Sequence, residues 1–436
     1  MILFFSRYLT PIVCLAALAI YWFLLPAIER VLRRFLRPRF PSLAGISLDG
    51  LRLVFLAVLS LGALATLHPI FVVVALAITL VAQRLVAMIA ARRISLRNGL
   101  SAAIALAVVT LALGKYGQAM ARAVWGGGDP IVSHLLMPLG ISYFVFRLLQ
   151  YVFDHARGVL TDNSYLRLAT FLFFLPTYPA GPLETYQGFY GKRSLSFDRL
   201  LFYKGIRRIA LGYFVKVFVV DFLIHMLFGS LMTEVNRRGY HPGSADALRP
   251  ISFVIVAFLR AYADLWAYTS LAIGFSALFG FRIMENFDRP LIRRNLGEFW
   301  RCWHISLSSW CRNNVYFPIY GATRKPWLGL YASMLTMGLW HYVGLNWTAW
   351  GLYHGTGLVT VSWFQRRRKA RRKALKKLGK KGWGGHWLVT PFPYVMTFLY
   401  VAAGYSFVSA ETPRLALRIF IWCWIGPFVW LKHHVM

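Results

Sequence analysis

The sequence predicts an all-α polytopic membrane protein with about eleven transmembrane spans, joined by re-entrant segments. Of its 436 residues, 58% are hydrophobic and 15% are charged, whereas a typical soluble domain has about 25% charged residues. The mean hydropathy is +0.54. Because so few polar residues cannot cover a surface that faces water on every side, the chain is expected to lie in a membrane.

Each predicted span has about 20 mostly apolar residues, the length that crosses a bilayer as a helix. The stretch 2–25 is longer than the apolar part of a secretory signal, and no cleavage site follows before Arg30, so it is predicted to be a span. The predicted spans are 2–25, 51–67, 69–90, 99–123, 131–153, 201–230, 251–275, 327–342, 345–363, 387–409 and 414–431.

Basic residues predict which connections face the cytoplasm. The formal net charge is +34, and eleven basic residues fall in Arg366–Lys381. Short basic loops beside spans are typical of the cytoplasmic side and attract anionic lipid, so the charge favours a membrane over a nucleic-acid partner. Other basic clusters occur at 30–39, 84–97, 157–167 and 282–324. Together they predict a membrane protein with its N-terminus outside and its C-terminus in the cytoplasm.

Two stretches, 165–192 and 284–326, are broken by proline, glycine or charge and do not fit simple spans. Irregular backbone occurs at membrane depth only where protein buries it or a polar cavity adjoins it, so both are predicted to be re-entrant or interfacial. Amphipathic cytoplasmic loops are the alternative.

The predicted organisation has four parts. They are N-terminal transmembrane helices (1–129), a catalytic core (130–363), a basic cytoplasmic loop (364–385) and C-terminal transmembrane helices (386–436).

Two pairs of charged side chains fall well inside predicted spans, where a charge at the helix centre costs about 2.5–3.5 kcal/mol. Arg260 and Asp264 are four residues apart, so they share a helix face and are expected to form a structural ion pair. Lys216 and Asp221 are five apart and off a shared face, so their partners are expected on other helices.

Three histidines are candidates for the site: His304 and His341 as catalytic residues, and His354 as a supporting residue. A single histidine on an apolar face is most often structural, but imidazole titrates near neutrality and can accept and return a proton. The four cysteines form no C-x-x-C pair and are interpreted as structural, and no metal site is predicted. No G-x-S-x-G motif supports a hydrolase.

The most specific motifs of the chain are NFDRP, FWRCWHISLS and GLWH, at their separations in this sequence. They resemble motifs of the membrane-bound O-acyltransferases, and within them of the bacterial alginate O-acetylases and D-alanyl transfer proteins of teichoic acid. The resemblance implies a location in the bacterial cytoplasmic (inner) membrane. The matching pieces are Met137–Asp154, Phe173–Phe189, Gly212–Phe222, Tyr262–Pro290, Glu298–Gly321 and Met337–Gly355.

The resemblance implies a fold with a central tunnel and an acyl transfer from a thioester to a hydroxyl. His341 matches the essential histidine of the family, and His304 matches its second polar active-site residue. We expect His341 to be the base and His304 to orient the thioester or donate to its carbonyl oxygen. The candidate supporting residues are His354, Asn286, Trp340, Trp303 and Tyr342.

The resemblance also implies partners. The thioester donor would be acyl-coenzyme A or an acyl carrier protein with its phosphopantetheine, with no cofactor bound permanently. An extracytoplasmic protein would receive or pass on the acyl group. Four arginines near the expected donor entrance are either contacts for this donor or anchors at lipid headgroups. They are Arg293, Arg294, Arg301 and Arg312.

The predicted function is therefore O-acylation of an envelope polysaccharide or partner protein. Tyr342 stands where the family usually has glycine, which favours a small acyl group such as acetyl. D-alanyl transfer from a carrier protein is the first alternative, and a proton-coupled transporter or flippase is the second.

Overall fold

The computed structural model describes residues 9–36, 39–40, 45–125, 140–235, 246–377 and 391–434. Within these ranges the regular structure is entirely helical. The chain divides into two compact units. Unit 1 comprises Met1–Leu211 and Tyr268–Met284, and unit 2 comprises Gly212–Ala267 and Glu285–Met436.

Unit 1 begins with α1, which runs from Leu9 to Leu36 with π-helical turns at Ile20–Leu24 and Leu32–Leu36. The helices that follow in unit 1 are α2 (Leu48–Ala65), α3 (Pro69–Ala90), α4 (Leu96–Trp125), α5 (Ile141–Ala156), α6 (Tyr165–Phe173) and α7 (Tyr186–Gly191).

Two long helices pass from one unit to the other along the chain. The first, α8, joins Arg199–Tyr213, the π-helical segment Phe214–Ile224 and His225–Val235. The second, α9, is Arg249–Leu278.

The other helices of unit 2 carry the predicted catalytic motifs. The first two are short, and α11 continues from Ile305–Cys311 through a π turn at Arg312–Tyr316 into Phe317–Thr323. They are α10 (Leu296–Cys302), α11, α12 (Pro326–His341), α13 (Leu345–Lys377), α14 (Phe392–Ser409) and α15 (Pro413–His434).

The prediction of a helical multi-pass membrane protein is confirmed. Eight helical stretches of the described residues are long and apolar enough to span a bilayer. They are Val13–Phe35, Leu48–Ala65, Pro69–Ala90, Leu96–Gly117, Arg199–Val235, Arg249–Leu278, Phe392–Ser409 and Pro413–Lys432.

Three further predicted spans, 131–153, 327–342 and 345–363, correspond to α5, α12 and α13. The total of eleven stays a prediction, because α5 and α12 are shorter than the eight candidates. Residues 131–139 lie outside the described part of the chain.

Two helices differ in extent from the sequence expectation. The first predicted span, 2–25, ends too early, because α1 continues through Arg30 and Arg33 to Leu36. The basic segment predicted as a loop over 364–385 is helical up to Lys377, where the described part of α13 ends. Basic side chains lose little rotamer freedom in a helix, so charge by itself does not end one.

The irregular stretch 165–192 is buried by protein, as expected for a segment that is not a simple span. α6 packs against α2 and α3, and its residues Leu168 to Phe173 are buried. The loop after α6 is held by Arg147 of α5, which is 2% exposed. Its guanidinium donates to the carbonyl oxygens of Thr177 at 2.6 Å and Pro182 at 3.4 Å.

The expected ion pair of Arg260 with Asp264 was wrong, as was the expectation that Asp221 pairs with another helix, whereas the expected partner of Lys216 on another helix is confirmed. Lys216 lies 2.8 Å from Asp221 and 2.7 Å from Asp264 of α9, so it bridges both carboxylates. Arg260 instead contacts the sulfur of Met232 at 3.7 Å. The sequence argument assumed α-helical geometry, but Lys216 and Asp221 lie in a π-helical segment, where i→i+5 hydrogen bonding brings residues five apart onto one face.

We expect Lys216→Met to destabilise the protein, because it leaves two carboxylates without their cation. The free energy of unfolding should fall by about 1–3 kcal/mol, seen as a lower Tm of the detergent-solubilised protein. Lys216→Arg keeps the charge and is the matched control. Adding Asp221→Asn and Asp264→Asn to Lys216→Met should restore part of the loss, and an unchanged Tm for Lys216→Met would refute the bridge.

Candidate active site

The predicted catalytic histidine lies at a tight turn between α12 and α13. α12 ends at His341, and α13 begins after three residues. A Cβ on Gly338 would lie 2.4 Å from the Trp347 carbonyl oxygen, and one on Gly351 would lie 2.9 Å from the Met334 carbonyl oxygen. Small residues permit such close backbone approach between packed helices. The glycines therefore bring α12 and α13 into direct backbone contact beside His341.

His341 is an exposed side chain held between two indole rings. Its ring centroid is 4.2 Å from that of Trp340, and 4.3 Å from that of Trp347, where the two rings are nearly parallel at 13°. Stacked aromatic contacts restrict how an imidazole can rotate. The structure thus combines access to His341 with a defined ring orientation, which are the two properties that a general base requires.

A run of aromatic rings joins His341 to His354. Trp347 contacts Trp350 with ring centroids 5.9 Å apart, and Trp350 lies 4.8 Å from His354. Trp300 of α10 lies 5.3 Å from His354 and 5.8 Å from Trp350. The predicted supporting residue His354 is therefore in the same aromatic cluster as the predicted base.

His354 itself is a packing residue. Its side chain is 1% exposed, and neither ring nitrogen has a hydrogen-bond partner among the described residues. A Cβ on Gly404 of α14 would lie 2.8 Å from His354 Nε2. Because a charged imidazole would need solvation or a partner here, His354 is expected to stay neutral and to support the cluster through its shape.

The NFDRP motif fixes the backbone around His304. Asn286 is completely buried, and its main-chain oxygen accepts a hydrogen bond of 2.9 Å from the Ile305 N–H. Its side-chain Oδ1 accepts from the N–H and the hydroxyl of Ser306, at 3.2 and 2.6 Å. Asn286 therefore satisfies the first donors of α11, at the helix end that His304 begins.

His304 adopts a left-handed backbone conformation with φ 43° and ψ 55°. This conformation is uncommon for a residue that has a Cβ, and such strain is found often at functional sites. The left-handed backbone fixes the direction in which the His304 side chain points. That direction indicates a function that outweighs the free-energy cost of the conformation. The contacts of Asn286 on the next two residues hold the chain in this conformation.

The imidazole of His304 is 5% exposed, and its Nδ1 has no hydrogen-bond partner within the described residues. His304 lies outside the eight candidate spans. Burial lowers its pKa below the ordinary histidine value. At neutral pH the ring is therefore uncharged, with one nitrogen able to donate and the other able to accept a hydrogen bond.

Trp303 anchors the segment that carries His304. Its ring is stacked on Phe299 with centroids 5.4 Å apart, and it contacts Phe287 at 5.1 Å. Phe258 and Tyr262 of α9 contact the same ring at 5.5 and 5.8 Å. Trp303 is therefore a structural support, packed on three elements of unit 2.

The four predicted donor-entrance arginines have different environments. Arg293 forms an ion pair with Asp288 at 3.0 Å and donates to the Arg289 carbonyl oxygen at 3.1 Å, so it stabilises the NFDRP loop. Arg294 donates to the Tyr394 hydroxyl at 2.7 Å. The remaining two, Arg301 and Arg312, are exposed.

Tyr342 directly follows the predicted base and is the C-cap residue of α12. Its side chain is 55% exposed, and its ring lies 3.0 Å from the position that a Cβ on Gly344 would take. The ring therefore covers the turn at Gly344. A limit on acyl size by Tyr342 stays a prediction.

Sequence reasoning missed several residues that shape the site. They are Trp347, Ser306 and Gly338. Trp347 lies six residues beyond His341, across a turn. Its contact with His341 could have been predicted only by recognising that the two helices form a hairpin. The sequence signal for this hairpin is the spacing of Gly351 and Gly355 on α13, because small residues four apart mark a close contact between helices.

The arrangement offers two different imidazoles within one compact unit. His341 is accessible and oriented, so it can exchange a proton with a reactant. His304 is buried and uncharged, so it can donate or accept a hydrogen bond without carrying charge. The described residues contain no group of three or more potential metal ligands. The accessible His341 and the buried, uncharged His304 suit a transfer reaction in which an acceptor loses a proton.

Comparison with known proteins identifies relatives of this chain. The family model described as "MBOAT, membrane-bound O-acyltransferase family" matches residues 100–408. This range contains His304, His341 and His354, together with the NFDRP motif.

The names of three similar proteins describe acyl transfer to alginate, teichoic acid or peptidoglycan. The "Probable alginate O-acetylase" of Azotobacter vinelandii is 32% identical over 67% of this chain and 55% of its own length. The teichoic acid D-alanyltransferase of Bacillus subtilis is 27% identical over 65% of this chain and 73% of its own length. The peptidoglycan O-acetyltransferase of Helicobacter pylori is 26% identical over 66% of this chain and 56% of its own length.

The match covers little more than half the length of the alginate O-acetylases to which the chain is similar. Activity, substrates and partners of those whole proteins are therefore not transferred directly to this chain.

We expect Gly338→Ala to separate α12 from α13, because the new Cβ would lie 2.4 Å from the Trp347 carbonyl oxygen. Overpacking of this kind costs about 1–3 kcal/mol and should lower the Tm of the purified protein. Gly321→Ala is the matched control, since its Cβ would meet no atom within 4 Å. Equal Tm values for the two variants would contradict the close approach.

Proposed function

Since the chain belongs to the membrane-bound O-acyltransferase family, we propose that it moves a small acyl group, acetyl, from a thioester to a hydroxyl of an envelope polysaccharide or partner protein. The observation that carries this proposal is the placement of His341. Its ring is exposed at the end of α12, stacked on Trp347 and in tilted contact with Trp340. An accessible and oriented imidazole is the group that removes a proton from an attacking alcohol.

In the proposed reaction, His341 accepts the proton of the acceptor hydroxyl as its oxygen attacks the thioester carbonyl carbon. The new carbon–oxygen bond forms, and the carbonyl oxygen carries negative charge in the intermediate. The carbon–sulfur bond then breaks, and the proton on His341 passes to the departing thiolate. The products are an ester and a free thiol, so the reaction needs no external oxidant or reductant.

We assign His304 to the carbonyl group of the thioester. A buried, uncharged ring can donate one hydrogen bond to the developing oxyanion, and such a donor is worth most where water is excluded. Its unusual backbone conformation and the contacts of Asn286 with Ser306 support a fixed ring direction. His304 therefore lowers the barrier through preorganisation, while His341 moves the proton.

The energetic demands on these residues are modest, because a thioester is already activated. Alignment of donor and acceptor can contribute about 7–11 kcal/mol to lowering the barrier. One well-placed base adds about 10²–10⁴-fold in rate. The packed aromatic rings around His341 and His354 supply the rigidity that alignment requires.

We propose that the donor is acyl-coenzyme A or an acyl carrier protein on the cytoplasmic side. Arg301 and Arg312 are exposed and offer positive charge to the phosphates of either donor. Arg293 and Arg294 act on the protein itself through Asp288 and Tyr394. A tunnel would bring the thioester to His341, where an extracytoplasmic partner presents or receives the acyl group.

The proposed location is the bacterial inner membrane, with the N-terminus outside and the C-terminus in the cytoplasm. On α13, exposed Trp363 and Phe364 precede the basic residues Arg366–Lys377. Aromatic residues favour the membrane interface, and basic residues favour the cytoplasmic side. This order along one helix supports a cytoplasmic basic end.

We expect His341→Ala to lower the rate of acetyl transfer by about 10²–10⁴-fold. The measurement is release of free thiol from acetyl-coenzyme A by the purified protein, together with glycan acetylation in cells. His225→Ala changes an exposed histidine of α8 and is the matched control. Full acetylation activity in both the His341→Ala and the His304→Ala variants would refute the assignment of these two histidines as catalytic residues.

A comparison of His304→Asn with His304→Ala tests the proposed hydrogen bond. An asparagine amide can still donate to the carbonyl oxygen, so His304→Asn should retain at least tenfold more activity than His304→Ala, about 1.4 kcal/mol. The thioester KM should change less than kcat, because the hydrogen bond strengthens as the oxyanion forms. Identical rates for the two variants would argue against a donor role.

D-alanyl transfer is the second candidate, favoured by the Bacillus subtilis relative, in which the match covers 73% of the length. The acyl donor that the protein uses distinguishes acetyl transfer from D-alanyl transfer. We expect thiol release with acetyl-coenzyme A and none with a D-alanyl carrier protein. The opposite pattern would replace acetyl by D-alanyl while leaving the roles of His341 and His304 in place.

A further inference from the structure

Two opposite charges of α8 and α9 are incompletely neutralised in the part of the chain that the structure describes. Asp221 of α8 shares the Lys216 ammonium with Asp264 of α9, at distances of 2.8 and 2.7 Å. Arg260 of α9 has no carboxylate partner among the described residues, and its guanidinium contacts the sulfur of Met232 at 3.7 Å. A thioether is a weak hydrogen-bond acceptor. The carboxylate of Asp221 and the guanidinium of Arg260 can therefore each take a further partner of opposite charge.

Both charges lie on the outer surface of unit 2. The Asp221 side chain is 44% exposed, and Arg260 is exposed as well. Arg260 lies one turn before Asp264 on α9 and reaches Met232 of α8, so both charges border the line along which the two helices meet, termed the α8–α9 seam. Charged residues within membrane spans usually pair with one another or face a polar interior. Exposed opposite charges at the seam therefore indicate that a further protein surface covers it.

The surface of α8 around Asp221 is apolar and little covered by the chain itself. Of the most apolar stretch of α8, 11% is buried, against 22–39% in the other candidate spans of the described residues. Phe214, Phe218 and Phe222 are exposed and stack in series, with ring centroids 5.3 and 5.8 Å apart. Such side chains can pack against another transmembrane helix by van der Waals contact. This face of α8 thus offers apolar contact area beside one acidic group.

The two charged residues lie at a similar depth along their helices. Glu234 of α8 forms an ion pair with Arg249 of α9, which gives both helices a common reference point at one end. Asp221 is thirteen residues from Glu234, and Arg260 is eleven residues from Arg249, which correspond to about 20 and about 17 Å along a helix. The two Cα atoms therefore differ in depth by about 3 Å, a difference that a long arginine side chain can span.

Similar depth is the condition for a contact between two copies of a membrane protein. Copies of one chain insert with the same orientation, because they carry the same basic residues. A symmetric pair of copies is then related by a two-fold axis along the membrane normal, and this axis keeps every residue at its own depth. Unlike residues of the two copies can meet only where their depths agree. Asp221 and Arg260 satisfy this condition, and the symmetry would form their contact twice.

We infer that the α8–α9 seam binds a second copy of this chain, with Asp221 of each copy paired to Arg260 of the other. A second copy brings its own cation to the required depth, which an apolar partner helix or lipid does not. In the pair, Lys216 is left to neutralise Asp264, and the exposed phenylalanines of α8 pack beside the new ion pairs. The inference concerns assembly and does not depend on the acyl transfer proposed above.

Exchange of the two charges between copies tests the contact. Donor-labelled and acceptor-labelled copies of the full-length protein are mixed in liposomes, and their association is measured by Förster energy transfer as added lipid dilutes them. Asp221→Arg and Arg260→Asp each bring like charges together, so each variant alone should associate about tenfold more weakly than the wild type. A mixture of the two variants forms one native and one exchanged ion pair and should recover the association of the wild type.

Arg260→Gln keeps the test decisive if a charge-exchanged variant does not fold. It neutralises an exposed side chain and should also weaken association by about tenfold. Arg84→Gln makes the same change at an exposed position of α3 and is the matched control, with unaltered association expected.

Three results would overturn the inference. They are a wild-type protein that does not associate, Arg260→Gln copies that associate as tightly as the wild type, and folded Asp221→Arg and Arg260→Asp copies that do not recover association when mixed. The last result would place the ion pair within one chain. Because energy transfer requires no acyl transfer, the outcome is separate from the activity of His341→Ala.

Discussion

The close approach of α12 and α13 is the contact on which the proposed site depends. Gly338 and Gly351 let the two backbones meet, and the three-residue turn then places Trp347 against His341. A larger side chain at either glycine would separate the helices and with them the two stacked rings. The aromatic cluster extends this constraint to His354 and Trp300, so backbone packing determines how the reactive imidazole is oriented.

Three histidines of one unit illustrate how environment divides their roles. His341 is exposed and stacked, His304 is buried beside a capped helix start, and His354 is buried among indole rings. The burial of His304 suppresses its positive charge, whereas the exposure of His341 keeps proton exchange with a reactant open. Three equivalent side chains thus have the environments that suit the proposed base, the proposed hydrogen-bond donor and a packing residue.

The sequence predicted the parts of the fold that follow from regular periodicity and composition. Long apolar stretches identified the helical membrane protein, and the motifs around His304 and His341 identified the two candidate catalytic residues. The contact of Lys216 with Asp221 could not be predicted, because a π-helical segment changes which residues share a face and composition does not reveal it. The contact of His341 with Trp347 was also missed, since it depends on the path of a turn. The basic residues after Trp363 suggested a loop, but they continue a helix, because charge and helix formation are compatible.

The uninterrupted length of α13 has a mechanical consequence. Its 33 residues extend about 50 Å, which exceeds the hydrocarbon thickness of a bilayer by about 20 Å. A stiff rod of this kind responds to a thicker or thinner bilayer by tilting as a whole. Trp347 stands near one end of the rod, and Arg366–Lys377 form the other. The height of the imidazole stacked on Trp347 is thereby tied to the thickness of the surrounding lipid.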